Sequence, residues 1–306
     1  CIRDSDYTLP LGAAPTAVRA YFSGGFADIV EAPFDIVDIQ SETRTLGLEV
    51  SHPFWRTPGS SLFGFVGVEA RHSESTLLDR PFSFSLGEIE GEADTSVLRG
   101  GVNFAFRDER QALALQLTVR FGTVWYEAAV EERVPPGLNG PDTDFIVLQG
   151  QGQYIRRLDW LDSEVHVRAA VQLANDPLLP VEKMPIGGAW SVRGYRENLL
   201  VRDNGLTASA EWRVPLFRGR DPVDGFDWRA LTAVAFADWG QSWDQDTGLP
   251  SDDKVRISSI GLGALWSPLP RLSMQLFYGE ALDDVGGSGD ALQDRGWHWR
   301  IGYRVF

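Results

Sequence analysis

The chain predicts an all-β fold, an antiparallel transmembrane β-barrel, on three observations. Apolar and polar residues alternate over stretches of about ten residues, the links between those stretches alternate short and long, and aromatic residues gather near the stretch ends. A soluble sandwich would share the alternation, its apolar face being core and its polar face wetted. It has no reason to sort its loops. An outer-membrane barrel does, with short turns on one side, long loops on the other, and strands of about 9–11 tilted residues.

Twelve strands are expected, at roughly 17–24, 44–54, 61–71, 97–107, 112–124, 145–156, 164–174, 206–216, 229–239, 255–266, 271–280 and 297–306. The pattern is clearest in the fifth, where Leu113, Leu115, Leu117, Val119 and Phe121 oppose Ala114, Gln116, Thr118 and Arg120. The seventh sets Val165, Val167, Ala169, Val171 and Leu173 against Glu164, His166, Arg168 and Gln172. The eighth sets Leu206, Ala208, Ala210, Trp212 and Val214 against Thr207, Ser209, Glu211 and Arg213. In the last, Trp297, Trp299, Ile301, Tyr303 and Val305 share one face, His298, Arg300 and Arg304 the other, and Phe306 ends the chain out of step with Tyr303.

Short links (56–60, 108–111, 157–163, 267–270) take turns with long ones (25–43, 72–96, 125–144, 175–205, 240–254, 281–296), and 218–228 is intermediate. No linker or composition break divides the chain, so it reads as one barrel portion, 17–306, after a lead-in at 1–16.

Composition narrows the class. A formal charge of -15 argues against nucleic acid as a partner, because phosphate contacts need a basic surface. Mean hydropathy is -0.17, and no apolar run approaches the roughly 18 residues of a membrane helix. A polar lumen hides a barrel from that average. The acidic residues of the long links, Glu131, Glu132, Asp142, Asp283 and Asp284, suit solvated loops, or else divalent-ion bridging to anionic lipid heads. The single cysteine, Cys1, precludes an internal disulfide and a Cys-based zinc site. With no initiating Met or signal peptide, the sequence reads as a mature portion or a fragment. Phe54, Trp55, Trp125, Tyr126, Trp160, Trp239, Trp266, Trp297 and Trp299 are placed for two interfacial girdles, or are ordinary aromatic core.

One segment stands apart. The link 175–205 is too long for a hairpin and carries Gly187-Gly188, then Ser191-Val192-Arg193-Gly194-Tyr195-Arg196-Glu197-Asn198, then Asp203-Asn204-Gly205. Five expected strands follow, the first with Ser209-x-Glu211 and Pro215-Leu216, the second with Phe236-Ala237-Asp238-Trp239-Gly240. From about Leu46 to Phe306 this resembles the C-terminal barrel of two-partner-secretion transporters, the haemolysin-activator and haemagglutinin-transporter family, TpsB, within the wider superfamily of barrel-assembly proteins.

The resemblance implies a sixteen-stranded barrel in the outer membrane, of which the present strands are part. It also implies a motif loop that folds back into the lumen, where its Arg meets the Asp of the Phe-x-Asp-x-Gly strand. Carried to this chain, the motif loop residues are Val192, Arg193, Gly194 and Tyr195, and the wall partners are Asp238, Phe236 and Gly240, with Glu211 a competing carboxylate. A guanidinium in a partly dehydrated lumen needs such a carboxylate. Strand phase puts Asp238 on the inner face and Trp239 outside.

The implied function is translocation of an unfolded exoprotein, TpsA-like, from periplasm to cell surface without nucleotide or cofactor. The implied partners are that exoprotein, outer-membrane lipid and the barrel-assembly machinery that inserts the protein. The family adds two POTRA domains and a plug helix not found here, so the remaining strands are expected before Cys1. A polar inner wall suits passage: Asn103, Gln116, Gln149, Gln151, Gln153 and Gln275 with the inward Arg99, Arg107, Arg120, Arg168, Arg213 and Arg300.

The rivals are an assembly factor of the same superfamily and a passive porin. An enzyme is not expected. Of the four histidines, His166 and His298 face inward, His52 and His72 lie at strand ends with no nucleophile elbow beside them, and no metal-type spacing joins any pair.

Overall fold

β-branched, aromatic and leucine-rich stretches with a period of two form strands because each strand then offers one face of uniform character. The computed structural model describes residues 2–12, 15–28, 39–78, 80–83, 90–123, 139–141, 144–217, 227–248, 254–286 and 291–304. Cys1, Trp125, Tyr126, Glu131, Glu132, Asp142, Val305 and Phe306 lie outside the described residues.

In chain order the strands are β1 (Ile2–Pro10), β2 (Ala17–Asp28), β3 (Ile39–Arg56), β4 (Ser60–Leu77), β5 (Arg80–Pro81), β6 (Glu92–Arg107), β7 (Gln111–Thr123) and β8 (Ile146–Arg157). They continue as β9 (Glu164–Ala174), β10 (Met184–Ile186), β11 (Leu200–Arg202), β12 (Asn204–Pro215), β13 (Leu231–Trp243), β14 (Val255–Leu269), β15 (Leu272–Ala281) and β16 (Trp297–Tyr303). One antiparallel sheet runs β1-β2-β3-β4-β6-β7-β8-β9-β12-β13-β14-β15-β16, with β5 added to β4, while β10 and β11 pair apart from it. Neighbours in sequence are neighbours in space, the up-and-down order of a barrel. The sheet is a partial barrel: its edges, β1 and β16, do not meet among the described residues.

Polarity is inverted relative to a soluble protein. Leu117, Leu262 and Trp299 on the convex face are 47%, 68% and 65% exposed, whereas Arg120, Ser209 and Asp238 on the concave face are 3%, 6% and 3% exposed. Water on both sides would make this arrangement unfavourable, because a continuous apolar belt would stay wetted. Lipid outside makes it stable. Aromatic pairs gather at the short-turn end: Trp160 stacks parallel on Trp212 with centroids 5.1 Å apart, Trp55 meets Phe104 edge-on, and Phe217 meets Trp228. Near the other end Tyr278 packs on Trp297.

Three expectations need correction. The lead-in at 1–16 contains β1, in full register with β2 from Ile2↔Gly25 to Pro10↔Ala17, so thirteen strands lie on the sheet path instead of twelve. Its first half reads Arg3-Asp4-Ser5-Asp6, polar on both faces, which erases the alternation. Next, β3 and β4 outrun their expected bounds, pairing from Ile39↔Leu77 to Arg56↔Ser61. The added part, Ser73-Glu74-Ser75-Thr76, carries no apolar face to mark it. Finally, the link 175–205 is not bare loop: a 3-10 turn at Pro180–Glu182 and the β10–β11 hairpin fold it, and β12 begins at Asn204.

Candidate functional site

The segment 175–203 lies on the concave face, and β12 and β13 form the wall it meets. Antiparallel register sets Ser209 opposite Asp238 and Glu211 opposite Phe236. Because side chains alternate along a strand, these four project inward as one rectangle. This is the physical content of Phe-x-Asp: two residues apart, same face.

Arg193, 1% exposed, enters that rectangle. Its Nε and Nη2 donate to the two carboxylate oxygens of Asp238 at 2.8 and 2.9 Å, a bidentate pair. Its backbone N–H donates to Asp238 at 3.0 Å, so one carboxylate holds both the side chain and the main chain. Nη1 donates to Glu211 Oε1 at 2.8 Å, and Nη2 reaches Ser209 Oγ at 3.2 Å. The Phe236 ring lies 3.6 Å from the guanidinium carbon, with Phe277 at 4.9 Å beyond it. Glu211 therefore does not compete with Asp238 for Arg193; the two carboxylates share it. Glu211 in turn accepts from Arg168 at 3.1 Å and from Arg213 Nε at 2.8 Å, which keeps its second lone-pair region satisfied.

The segment around Arg193 is shaped by glycine. Gly194 has φ +92°, a left-handed conformation that side chains rarely adopt, and an added Cβ would stand 2.9 Å from the Gly279 carbonyl of β15. Its N–H donates to His298 Nε2 of β16 at 3.0 Å, so that ring nitrogen carries no proton. Gly240 completes the wall motif by omission: a Cβ there would lie 2.8 Å from Ile186 and 3.0 Å from Val192.

Those two side chains, with Tyr195, Leu200 and Ile257, form a buried apolar cluster between segment and wall. Complete burial of Ile186, Val192 and Ile257 contributes about 1.5–3 kcal/mol each. The Tyr195 hydroxyl donates to the Ser258 carbonyl at 2.9 Å and accepts from the Asp283 N–H at 3.0 Å. The Ser258 hydroxyl donates to the Asp283 carboxylate at 2.5 Å, and that bond, aided by Arg256, holds this carboxyl below its usual range.

The ends of the segment are tied together by Asp203 and Asn204. Asp203 accepts from the N–H groups of Leu178 and Gln245 at 2.9 and 2.8 Å, and Asn204 accepts from Ala174 at 2.8 Å. Arg196 pairs with Asp294 at 2.5 Å, and Glu197 accepts from the Ala189 N–H at 2.8 Å.

The structure thus brings together Val192, Arg193, Gly194 and Tyr195 with Asp238, Phe236, Gly240 and Glu211. Sequence reasoning missed Ser209 as a ligand of Arg193, His298 as an acceptor and Gly279 as a seat. His298 carried a signal, an inward phase on its strand; Gly279 carried none.

Beside the segment, Asn103, Gln116, Gln151 and Gln153 line a cavity of about 550 Å³ that reaches Trp190 and Ser191. The Gln151 carboxamide donates across strands to that of Gln116 at 2.5 Å.

A family profile described as haemolysin secretion/activation protein ShlB/FhaC/HecB matches residues 4–264. Among curated proteins nothing matches the chain. Among solved structures, CdiB from Escherichia coli is 20% identical with a TM-score of 0.68, covering 99% of this chain and 53% of that one. CdiB from Acinetobacter baumannii is 18% identical with a TM-score of 0.65, covering 99% and 49%. BamA from Haemophilus ducreyi lacking POTRA domains 1-3 is 11% identical with a TM-score of 0.64, covering 98% and 62%. The chain spans about half the length of the two CdiB chains. At these identities the likeness is one of fold.

Proposed function

The chain belongs to the haemolysin secretion/activation family, and from that premise we propose that it is the barrel portion of an outer-membrane translocator passing an unfolded, TpsA-like exoprotein from periplasm to cell surface. Lipid is the partner of its convex face, and the barrel-assembly machinery the agent of its insertion. The segment 175–203 occupies the conduit at rest.

The observation that carries this reading is Arg193. A cation 1% exposed, sunk into the inner wall of a barrel, costs several kcal/mol in desolvation unless its partners are in place. Asp238, Glu211 and Ser209 are in place. Burying an ion pair adds little net stability over apolar packing, so stability alone does not account for it. A salt link that holds when assembled and costs little to rewet suits a segment that must leave when cargo enters. The concave face offers Asn103, Gln116, Gln151 and Gln153 to a passing backbone as hydrogen-bonding groups, set among Phe63, Trp190 and small residues such as Ala114 and Ala170.

The test is Arg193→Ala in the full-length protein, expressed with its exoprotein. The variant is expected in the outer membrane at ordinary level, with its heat-modifiable gel mobility intact and secretion into the medium reduced by an order of magnitude or more. Undiminished secretion overturns the reading.

A further inference from the structure

Ten residues before the motif, Glu182 is 2% exposed and its side chain is wholly buried, although the sequence around it, Pro180-Val181-Glu182-Lys183, announces nothing. Its carboxylate meets Arg120 of β7 at 2.5 Å and Arg71 of β4 at 3.3 Å, and accepts from Thr95 of β6 at 3.3 Å. Its carbonyl accepts from Gln172 of β9 at 2.9 Å. Four strands of the wall thus hold one residue of the segment.

The cations that receive Glu182 are themselves balanced. Glu69 of β4 pairs with Arg71 and Arg99 at 3.0 Å each, and Glu49 of β3 pairs with Arg99 at 2.6 Å. Tyr21 of β2 donates to Glu69 as well. Three guanidiniums, Arg71, Arg99 and Arg120, face three carboxylates, Glu49, Glu69 and Glu182, of which only Glu182 lies off the wall. Along the sheet β7 stands three strand steps from β12, about 14 Å at the usual spacing.

We propose that Glu182 is a second anchor of the segment, opposite in sign to Arg193 and seated on a different part of the wall, so that segment 175–203 is clamped at two points and leaves the concave face only when both ion pairs part. Glu182 is a positioning residue: it acts by holding Val192, Arg193, Gly194 and Tyr195 in register with β12 and β13. Ile186 and Val192 of the apolar cluster lie between the two anchors along the chain, with Tyr195 just beyond the second, and cannot slide while both hold. The consequence for gating rests on the translocator reading; the clamp itself does not.

The experiment compares Glu182→Gln, Arg120→Gln and the double variant in the full-length protein, each checked for folding by heat-modifiable gel mobility. A spin label at position 190, where Trp190 is 64% exposed, reports segment mobility in lipid vesicles, and planar-bilayer recordings report open time. Each single variant is expected to raise the mobile fraction of the label and the open time about tenfold. The double variant is expected to match a single one instead of multiplying the two effects, the signature of a direct pair.

Glu182→Asp is expected to fall between Glu182→Gln and the unaltered protein. Should Glu182→Gln fail to fold, the double variant, which leaves no unpaired ion, and Glu182→Asp carry the comparison. A folded Glu182→Gln protein with an unmoved label, or multiplicative effects in the double variant, overturns the proposal. If the label is freed while no protein conducts, the unaltered one included, the clamp stands and the translocator reading fails.

Discussion

The ring of Phe236 lies against the guanidinium of Arg193, 3.6 Å from centroid to carbon, while Asp238, two residues along the same strand, grips that group edgewise at 2.8 and 2.9 Å. One strand therefore supplies a flat apolar face and a forked acceptor to the same planar cation. The guanidinium has the shape for both and an ammonium for neither.

Arg193→Lys is accordingly expected to behave nearly as badly as Arg193→Ala. A lysine amine cannot span the Asp238 carboxylate and Glu211 together or stack on Phe236, and it leaves one buried carboxylate short of partners. Losing one member of a buried pair costs about 3–5 kcal/mol. Secretion of the exoprotein per unit of membrane-inserted transporter measures the result, and a Lys variant with more than half the normal export would contradict the geometry.

Gly240→Val and Gly194→Ala test the fit of segment to wall. At Gly240 the new side chain meets Ile186 and Val192, and at Gly194 both φ and the Gly279 carbonyl oppose any Cβ. Overpacking of this kind costs about 1–3 kcal/mol. The segment is expected to lift while the sheet persists, seen as faster protease cleavage between residues 186 and 200 at unchanged heat-modifiable mobility.

Asp283 links the outer end of β14 to Tyr195, and its carboxyl is held below the ordinary 3.8 chiefly by the Ser258 hydroxyl. A depressed folded value contributes stability that is present above the ordinary value and lost as pH falls through the folded one. Seating of Tyr195 is therefore expected to weaken only below about pH 3.8. The Asp283 side chain is 20% exposed, so solvent screening reduces the effect. Protease cleavage of the segment at pH 3 and pH 5 measures it. Asp283→Asn, already lacking the charge, is expected to show equal rates at the two values.

Leu117 and Gln116 are adjacent on β7 and face opposite ways, Leu117 half exposed on the convex side and Gln116 bonded to Gln151 on the concave one. An arginine facing lipid near mid-bilayer costs about 2–4 kcal/mol. Leu117→Arg is expected to slow or abolish folding into lipid vesicles, and Gln116→Arg to fold at nearly the normal rate. Equal behaviour would mean that β7 does not divide lipid from lumen.

Much of this was legible because barrel and motif both rest on local periodicity. Leu113 to Phe121 announces its own faces, and Phe236 and Asp238 declare a shared side by spacing alone. β1 was hidden by Arg3-Asp4-Ser5-Asp6, whose outward members are as polar as its inward ones. β10 and β11, three residues each, are too short for any period, and Glu182 finds Arg71 across 111 residues with no local mark. That Arg193 takes Glu211 together with Asp238 follows from the β12–β13 register, which the strand phases alone did not specify.

Gly205, Gly240 and Gly279 leave β12, β13 and β15 bare on the inner surface where Met184, Ile186, Val192 and the Arg193–Gly194 backbone rest. At those points the hollow of the sheet is filled by its own chain, much as a core fills a casting. On the proposed translocator reading, withdrawing that filling bares backbone at those glycines beside the Asp238 and Glu211 carboxylates, so the hollow widens there by losing its occupant and without the strands spreading.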